Sequence, residues 1–192
     1  HTETDTGEGV FRLTDTAVGQ NDATAFLFLE NAGFSNVNSF GIVGAGLVTL
    51  EVFNGGQSPI TSATLAWDIG TNTVTNLATS LSAVIDYNAF GFYLNSGDGN
   101  TYYSVSSMNP LGADQMLSFN TTASGHADLL GSDYVIAFED LLNADNDYND
   151  MVVGLSDIAG AGVPDLRIPV PAPATLMLMG LGLLGMTQLR RK

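Results

Sequence analysis

The sequence contains no cysteine, which removes disulfide staples, thiolate metal sites and cysteine nucleophiles together. Cations are almost as scarce. Lys and Arg number 5 in 192 residues against 20 Asp and Glu, for a net charge of −15. Arg190, Arg191 and Lys192 crowd the C-terminal tip, leaving only Arg12 and Arg167 in the rest of the chain. So few Lys and Arg cannot neutralise a run of phosphates, so nucleic acid is excluded as a partner. Anionic lipid is disfavoured except at the basic tip. Histidine is limited to His1 and His126, and no Gly-x-Ser-x-Gly turn presents a serine nucleophile. His126 stands in Ser124-Gly-His-Ala-Asp128, a solvated-loop composition. The expectation is a protein without catalytic turnover. Long amphipathic helical patterning is also missing from the body of the chain.

What is present is apolar residue enough for a core, 45% of the chain, in short runs rich in β-branched and aromatic residues. Strands are expected at Ala25–Leu29, Leu47–Phe53, Ala63–Ile69, Phe90–Leu94, Thr101–Val105, Met116–Phe119, Tyr134–Phe138 and Met151–Leu155. Asn54-Gly-Gly-Gln57 and Asn95-Ser-Gly-Asp-Gly-Asn100 supply hairpin turns between them, with Asp98 a turn residue. Thr71 to Asp86 is ambiguous: Leu77, Leu81, Val84 and Ile85 fit a helical stripe, whereas Thr71, Thr73, Val74 and Thr75 favour a strand. The expected fold class is all-β, an antiparallel β-sandwich or jelly roll over residues 1–162. Residues 163–173 form a Pro-containing linker, and 174–192 one C-terminal apolar helix. Trp67 with Tyr87, Tyr93, Tyr102 and Tyr103 could form a sugar platform, although aromatics at strand spacing are more often core.

The densest chemistry lies between two apolar strands, where Glu139, Asp140, Asn143, Asp145, Asn146, Asp147, Asn149 and Asp150 crowd one loop. Hard cations such as Ca²⁺ take six to eight oxygens, several of them carboxylate. Asp145, Asp147 and Asn149 alternate as in the first half of a helix-loop-helix Ca²⁺ site. Asp150 replaces the Gly that such a loop needs, and Ser156 its bidentate Glu. The expected metal ligands are therefore Glu139, Asp140, Asp145, Asp147, Asn149 and Asp150, in a loop hung from strands. The competing reading is a turn whose Asx side chains cap their own backbone. Phe138-Glu-Asp140, Asp145-Asn-Asp-Tyr-Asn-Asp150 and Met151-Val-Val153 also resemble the signature of an uncharacterised domain of secreted bacterial proteins. That resemblance implies a β-sandwich module of surface and matrix proteins and brings no reaction.

The C-terminal composition changes at Pro169. Pro173 suits a first helical position, and Ala174 to Leu189 carries no charge. Those residues would span about 24 Å as a helix, short of a ~30 Å hydrocarbon core unless Arg190 and Arg191 snorkel. Val170-Pro-Ala-Pro-Ala174, the Leu- and Gly-rich run to Met186 and Arg190-Arg-Lys192 together resemble the PEP-CTERM sorting tail of Gram-negative bacteria. Ala172 departs from the Glu of the name-giving motif. The resemblance implies export, transient or lasting residence in the inner membrane, recognition by an exosortase, and a secreted or cell-surface destination. A start at His1, without a basic and apolar leader, fits an expectation of a mature exported chain. The expected role is a non-catalytic structural component of the cell surface or extracellular matrix, a homo-oligomer or filament assembling through its C-terminal helix. The alternative is a Ca²⁺-dependent extracellular binding module, for polysaccharide or surface adhesion.

Overall fold

A computed structural model describes residues 6, 7, 9–17, 21–30, 37–57, 61–122, 131–142, 147–162 and 166. In chain order the strands are β1 (Phe11–Leu13), β2 (Asp22–Glu30), β3 (Ser39–Val43), β4 (Thr49–Asn54), β5 (Ser62–Asp68) and β6 (Thr73–Asn76). They continue as β7 (Leu81–Val84), β8 (Gly91–Asn95), β9 (Thr101–Tyr103) and β10 (Met116–Asn120). β11 (Tyr134–Phe138), β12 (Met151–Leu155) and β13 (Ile158–Gly160) complete the set. Among the described residues there is no α-helix, only single 3-10 turns, and none long and apolar enough to cross a membrane. The chain is all-β. The expected C-terminal helix and its basic tip lie outside the described residues.

Every pairing is antiparallel. One sheet runs β10-β11-β12-β2-β5-β6-β7, a second β4-β3-β8-β9, and β1 pairs with β13. β5 shows why these residues make a strand. Its Ala63, Leu65 and Trp67 are buried while Ser62 and Asp68 are exposed, the two-residue period of a sheet with one face inward. Leu27, Leu65, Ile136 and Val153 of the larger sheet meet Phe40, Ile42, Phe53 and Phe92 of the smaller in one core. Phe40 joins the sheets directly. Its ring stacks on Phe92 at 5.7 Å and meets Phe138 edge-on at 6.2 Å. A second cluster gathers Val10, Val43, Tyr93, Val105 and Leu166, so packing reaches into the segment expected to be linker.

All eight expected strands form, with shifts of a few residues at some ends. The ambiguous stretch from Thr71 to Asp86 is the β6–β7 hairpin: β-branched Thr73, Val74 and Thr75 prevail, and Leu77, Leu81 and Val84 lie exposed rather than along a buried helical stripe. Asn54-Gly-Gly-Gln57 is not a hairpin turn. β4 and β5 belong to different sheets, so this turn, closed by Gln57 N–H on the Asn54 carbonyl at 3.1 Å, carries the chain across the core. Asn95 to Asn100 does close a hairpin, β8 to β9, with Gly99 at φ +91°. Trp67, Tyr93 and Tyr102 are buried in the core, which removes them from any sugar platform.

Candidate metal centre

The Phe40–Phe138 contact places the site. In extended chain, residues two apart share a face, so Asn38, two before Phe40, and Asp140, two after Phe138, arrive on the same side at the rim of the core. There the Asn38 amide N–H donates to Asp140 Oδ2 at 2.9 Å, across 102 residues of sequence. Asn38 Oδ1 in turn accepts the Gly97 N–H at 3.0 Å, which ties in the β8–β9 turn. Gln115 braces the other flank: its side-chain amide donates to the Leu141 carbonyl at 3.0 Å and its backbone carbonyl accepts the Glu139 N–H at 3.0 Å.

Onto this frame Glu139, Asp140 and Asp150 converge, with one carboxylate oxygen of each within 4.8 Å of the others. Glu139 is 2% exposed and Asp140 3%. Asp150, half-buried at the foot of β12, accepts the Asp140 N–H on Oδ2 at 2.9 Å. Tyr148 stands at φ +50°, a left-handed position unusual for a tyrosine, with its N–H 3.5 Å from Glu139 Oε2. Its hydroxyl donates to the Asp114 carbonyl at 3.0 Å.

No Lys or Arg occurs in the segments that supply the cluster, 37–40, 95–103, 114–116 or 138–151. The electrostatic consequence appears at Asp140. Burial pushes its carboxyl above the usual value, the charges of Asp150 and Asp98 add to this, and the Asn38 amide only partly offsets them. Asp98 goes the other way: partial burial would raise it, but the Asn100 side-chain and backbone N–H, the Tyr102 hydroxyl and Ser96 outweigh that and hold it low. Tyr102 donates to Asp98 Oδ2 at 2.9 Å.

Of the expected ligands, the structure brings Glu139, Asp140 and Asp150 together. Asp147 and Asn149 instead bond to each other, Asn149 Nδ2 to Asp147 Oδ2 at 2.5 Å and Asn149 N–H to Oδ1 at 3.3 Å, an Asx turn. Asp145, with Asn143 and Asn146, lies outside the described residues. Asn38 and Gln115 were not expected, since nothing local marks them. Asp98 is the expected turn residue and also adds its charge to the neighbourhood of Asp140. Three carboxylate oxygens, two of them on buried residues and with no Lys or Arg in the segments that supply them, are the kind of donors that hard cations take.

Two family models match parts of the chain. Residues 71–156 match the family model described as a domain of unknown function (DUF4114), and residues 169–192 match the PEP-CTERM protein-sorting motif. The chain carries a DUF4114 domain and a PEP-CTERM tail. The tail marks an exported protein, processed by an exosortase and delivered to secreted or surface material of a Gram-negative bacterium. No curated protein and no solved structure matches. The DUF4114 match spans β6 to β12 and holds Glu139, Asp140 and Asp150. Asn38 lies outside it, as do β2 and β5, which complete its sheet.

Two tyrosines give this region a measurable alkaline signature. Burial raises Tyr102 to about 12, assisted by its bond to Asp98 and that residue's charge. Burial likewise raises Tyr93 to about 12, with Glu51 and Tyr103 contributing. A raised folded value means stability fully present below the unfolded value of 10.0 and lost as pH rises through about 12. At pH 11 the absorbance of ionised tyrosine should therefore fall short of the full complement of 6 tyrosines, and reach it on adding denaturant. Complete ionisation of the native protein at pH 11 would contradict the burial of both rings.

Proposed function

We propose that this chain is a non-catalytic structural module of the bacterial surface or extracellular matrix, a β-sandwich closed at one rim by Ca²⁺. Glu139, Asp140 and Asp150 hold the ion, which bridges the end of β11 to the start of β12. Asn38 orients Asp140 from the other sheet, so the ion also ties the two layers together. One observation carries the reading: two carboxylates almost wholly buried beside a third, with no Lys or Arg in the segments around them. Leaving such charges uncompensated is costly, and a divalent cation supplies what the sequence withholds. The sorting tail supports the setting, since Ca²⁺ is abundant outside the cell and such loops are tuned to it.

Calorimetric titration of the full chain with Ca²⁺ tests this. Saturable binding is expected, weakened by about 1.4 kcal/mol or more, a tenfold change in Kd, in Asp140→Asn and in Asp150→Asn. Binding unchanged in both variants would sink the assignment. Trp67, Tyr93 and Tyr102 face inward, so no described aromatic cluster favours a polysaccharide-binding reading.

A further inference from the structure

The outer strands of the two larger sheets are treated unequally. β4 is closed by Asn76, whose amide donates to the carbonyls of Glu51 at 3.0 Å and Val52 at 3.4 Å. β9 is closed by Asn109, which accepts the Tyr103 N–H at 2.7 Å and donates to the Tyr103 carbonyl at 2.9 Å, as a neighbouring strand would. β10 is covered at Ser118 by Thr6, whose N–H meets the Ser118 carbonyl at 2.8 Å. Among the described residues nothing pairs with the free side of β7. Open strand edges are templates for pairing, and folded proteins ordinarily blunt them, as this one does elsewhere.

The phase of that open edge is fixed. Ile85 N–H bonds the Asn72 carbonyl at 2.8 Å, and bonded and non-bonded positions alternate along an antiparallel ladder. Leu81 and Ala83 therefore direct their backbone groups to β6, whereas Ser82 and Val84 direct theirs outward. Two outward residues flanking one inward residue make a self-complementary strand. A copy rotated by a two-fold axis at Ala83 sets Ser82 against Val84 and exchanges both hydrogen bonds at each pair.

Side chains and charge select the same occupant. Leu81 is 55% exposed and Val84 65%, and Leu77 is exposed on the adjoining turn. No charged residue lies between Asp68 and Asp86, nor from Ser39 to Leu50, whose Gly44 packs on Ile85. A cationic partner would be drawn to acidic faces and would find nothing here. What an uncharged edge offers is freedom from repulsion, and that matters to another acidic surface. We propose that β7 pairs antiparallel with β7 of a second copy of this chain, centred on Ala83, joining two seven-stranded sheets into one. This is independent of the cation site and of any contact through the tail.

The absence of cysteine makes the register testable on the full chain in mild detergent. Ser82→Cys and Val84→Cys are prepared separately, then mixed and oxidised gently. Opposed residues of a bonded pair lie ~5.5 Å apart, inside the ~4.4–6.8 Å range for a disulfide. Dimer linked between the two variants should form roughly tenfold more in the mixture than in either alone, where Cys meets its own copy only diagonally. As a second measurement on the unaltered chain, amide exchange of residues 81–85 should slow on raising protein concentration. Equal cross-linking alone and mixed, or exchange independent of concentration, would overturn the proposal.

Discussion

Saturating Ca²⁺ should raise the unfolding midpoint by about 5–10 °C over the same protein in chelator. A ligand that binds only the folded state stabilises it by RT ln(1 + [L]/Kd), about 2.7 kcal/mol at a hundredfold excess. For a domain of this length each kcal/mol moves the midpoint by about 2–4 °C. The variants separate this site from nonspecific ion effects. Asp140→Asn keeps the shape and an acceptor for Asn38 while removing a charge, so it should lose the Ca²⁺ shift. In chelator at neutral pH the same variant should unfold no lower than the parent, because the buried carboxylate it removes opposes folding when ionised.

The pH dependence should reverse with the ion. The folded value of Asp140 is raised, so its contribution to stability is full below the ordinary carboxylate value and disappears as pH rises through the folded value. Without Ca²⁺, lowering the pH from neutral toward the ordinary carboxylate value of 3.8 should therefore gain stability through Asp140, and Asp140→Asn should remove that gain. Asp98 does not confuse the window: its folded value is lowered, so its contribution is lost only as pH falls below 3.8. With Ca²⁺, acidification should cost stability, since protons compete for the ligating oxygens. Identical pH profiles with ion and with chelator would leave the trio as a solvated acidic corner.

The second large effect is expected from adding one methyl group. Gly41 lies in β3 where its pairing with β4 slips between Phe40 and Gly41. A Cβ there would stand 2.6 Å from Tyr93 Cε1 and 2.8 Å from Cζ, and closer still to the Leu50 carbonyl oxygen. A tyrosine ring can tilt. A backbone carbonyl in a paired strand moves only by breaking the ladder. Gly41→Ala should therefore cost about 3 kcal/mol or more, at the upper end of the usual cost of overpacking a core. Gly56→Ala is the control, because its added Cβ meets nothing closer than Asn54 Oδ1 at 3.7 Å. Urea midpoints report both. If Gly41→Ala unfolds at the same concentration as Gly56→Ala, the close approach of β3 to β4 is wrong.

Gly41 also illustrates what sequence could and could not show. Strands with an unbroken apolar or alternating run, such as Ser62–Asp68 and Tyr134–Phe138, declare themselves through side-chain period and β-branching. β3 does not: Ser39-Phe-Gly-Ile-Val43 is short, with a glycine at its centre that reads as a breaker. β1 and β13, three residues each, are shorter than any window of pattern. Missing β3 meant missing Asn38, whose bond to Asp140 is a product of sheet-on-sheet packing. The acidic loop was legible as a carboxylate donor set because its residues are adjacent in the chain. Which of them converge was not, since turning Glu139 and Asp140 toward Asp150 depends on Gln115 and on the left-handed backbone at Tyr148.

The place of β12 between β11 and β2 has a consequence for how an exported chain must fold. Val153 pairs with Leu27, so a strand made late joins one made more than a hundred residues earlier. A polypeptide crossing a membrane from its N-terminus emits β2 early and leaves that side of it without its partner until residue 155 has emerged. Such long loop closures come late in folding. The β12 side of β2 thus stays open longest, although β2, β5, β6 and β7, and likewise β4, β3, β8 and β9, can pair with one another before it arrives. The seven-stranded sheet therefore closes only once β12 has crossed, with the sorting tail at 169–192 following close behind it.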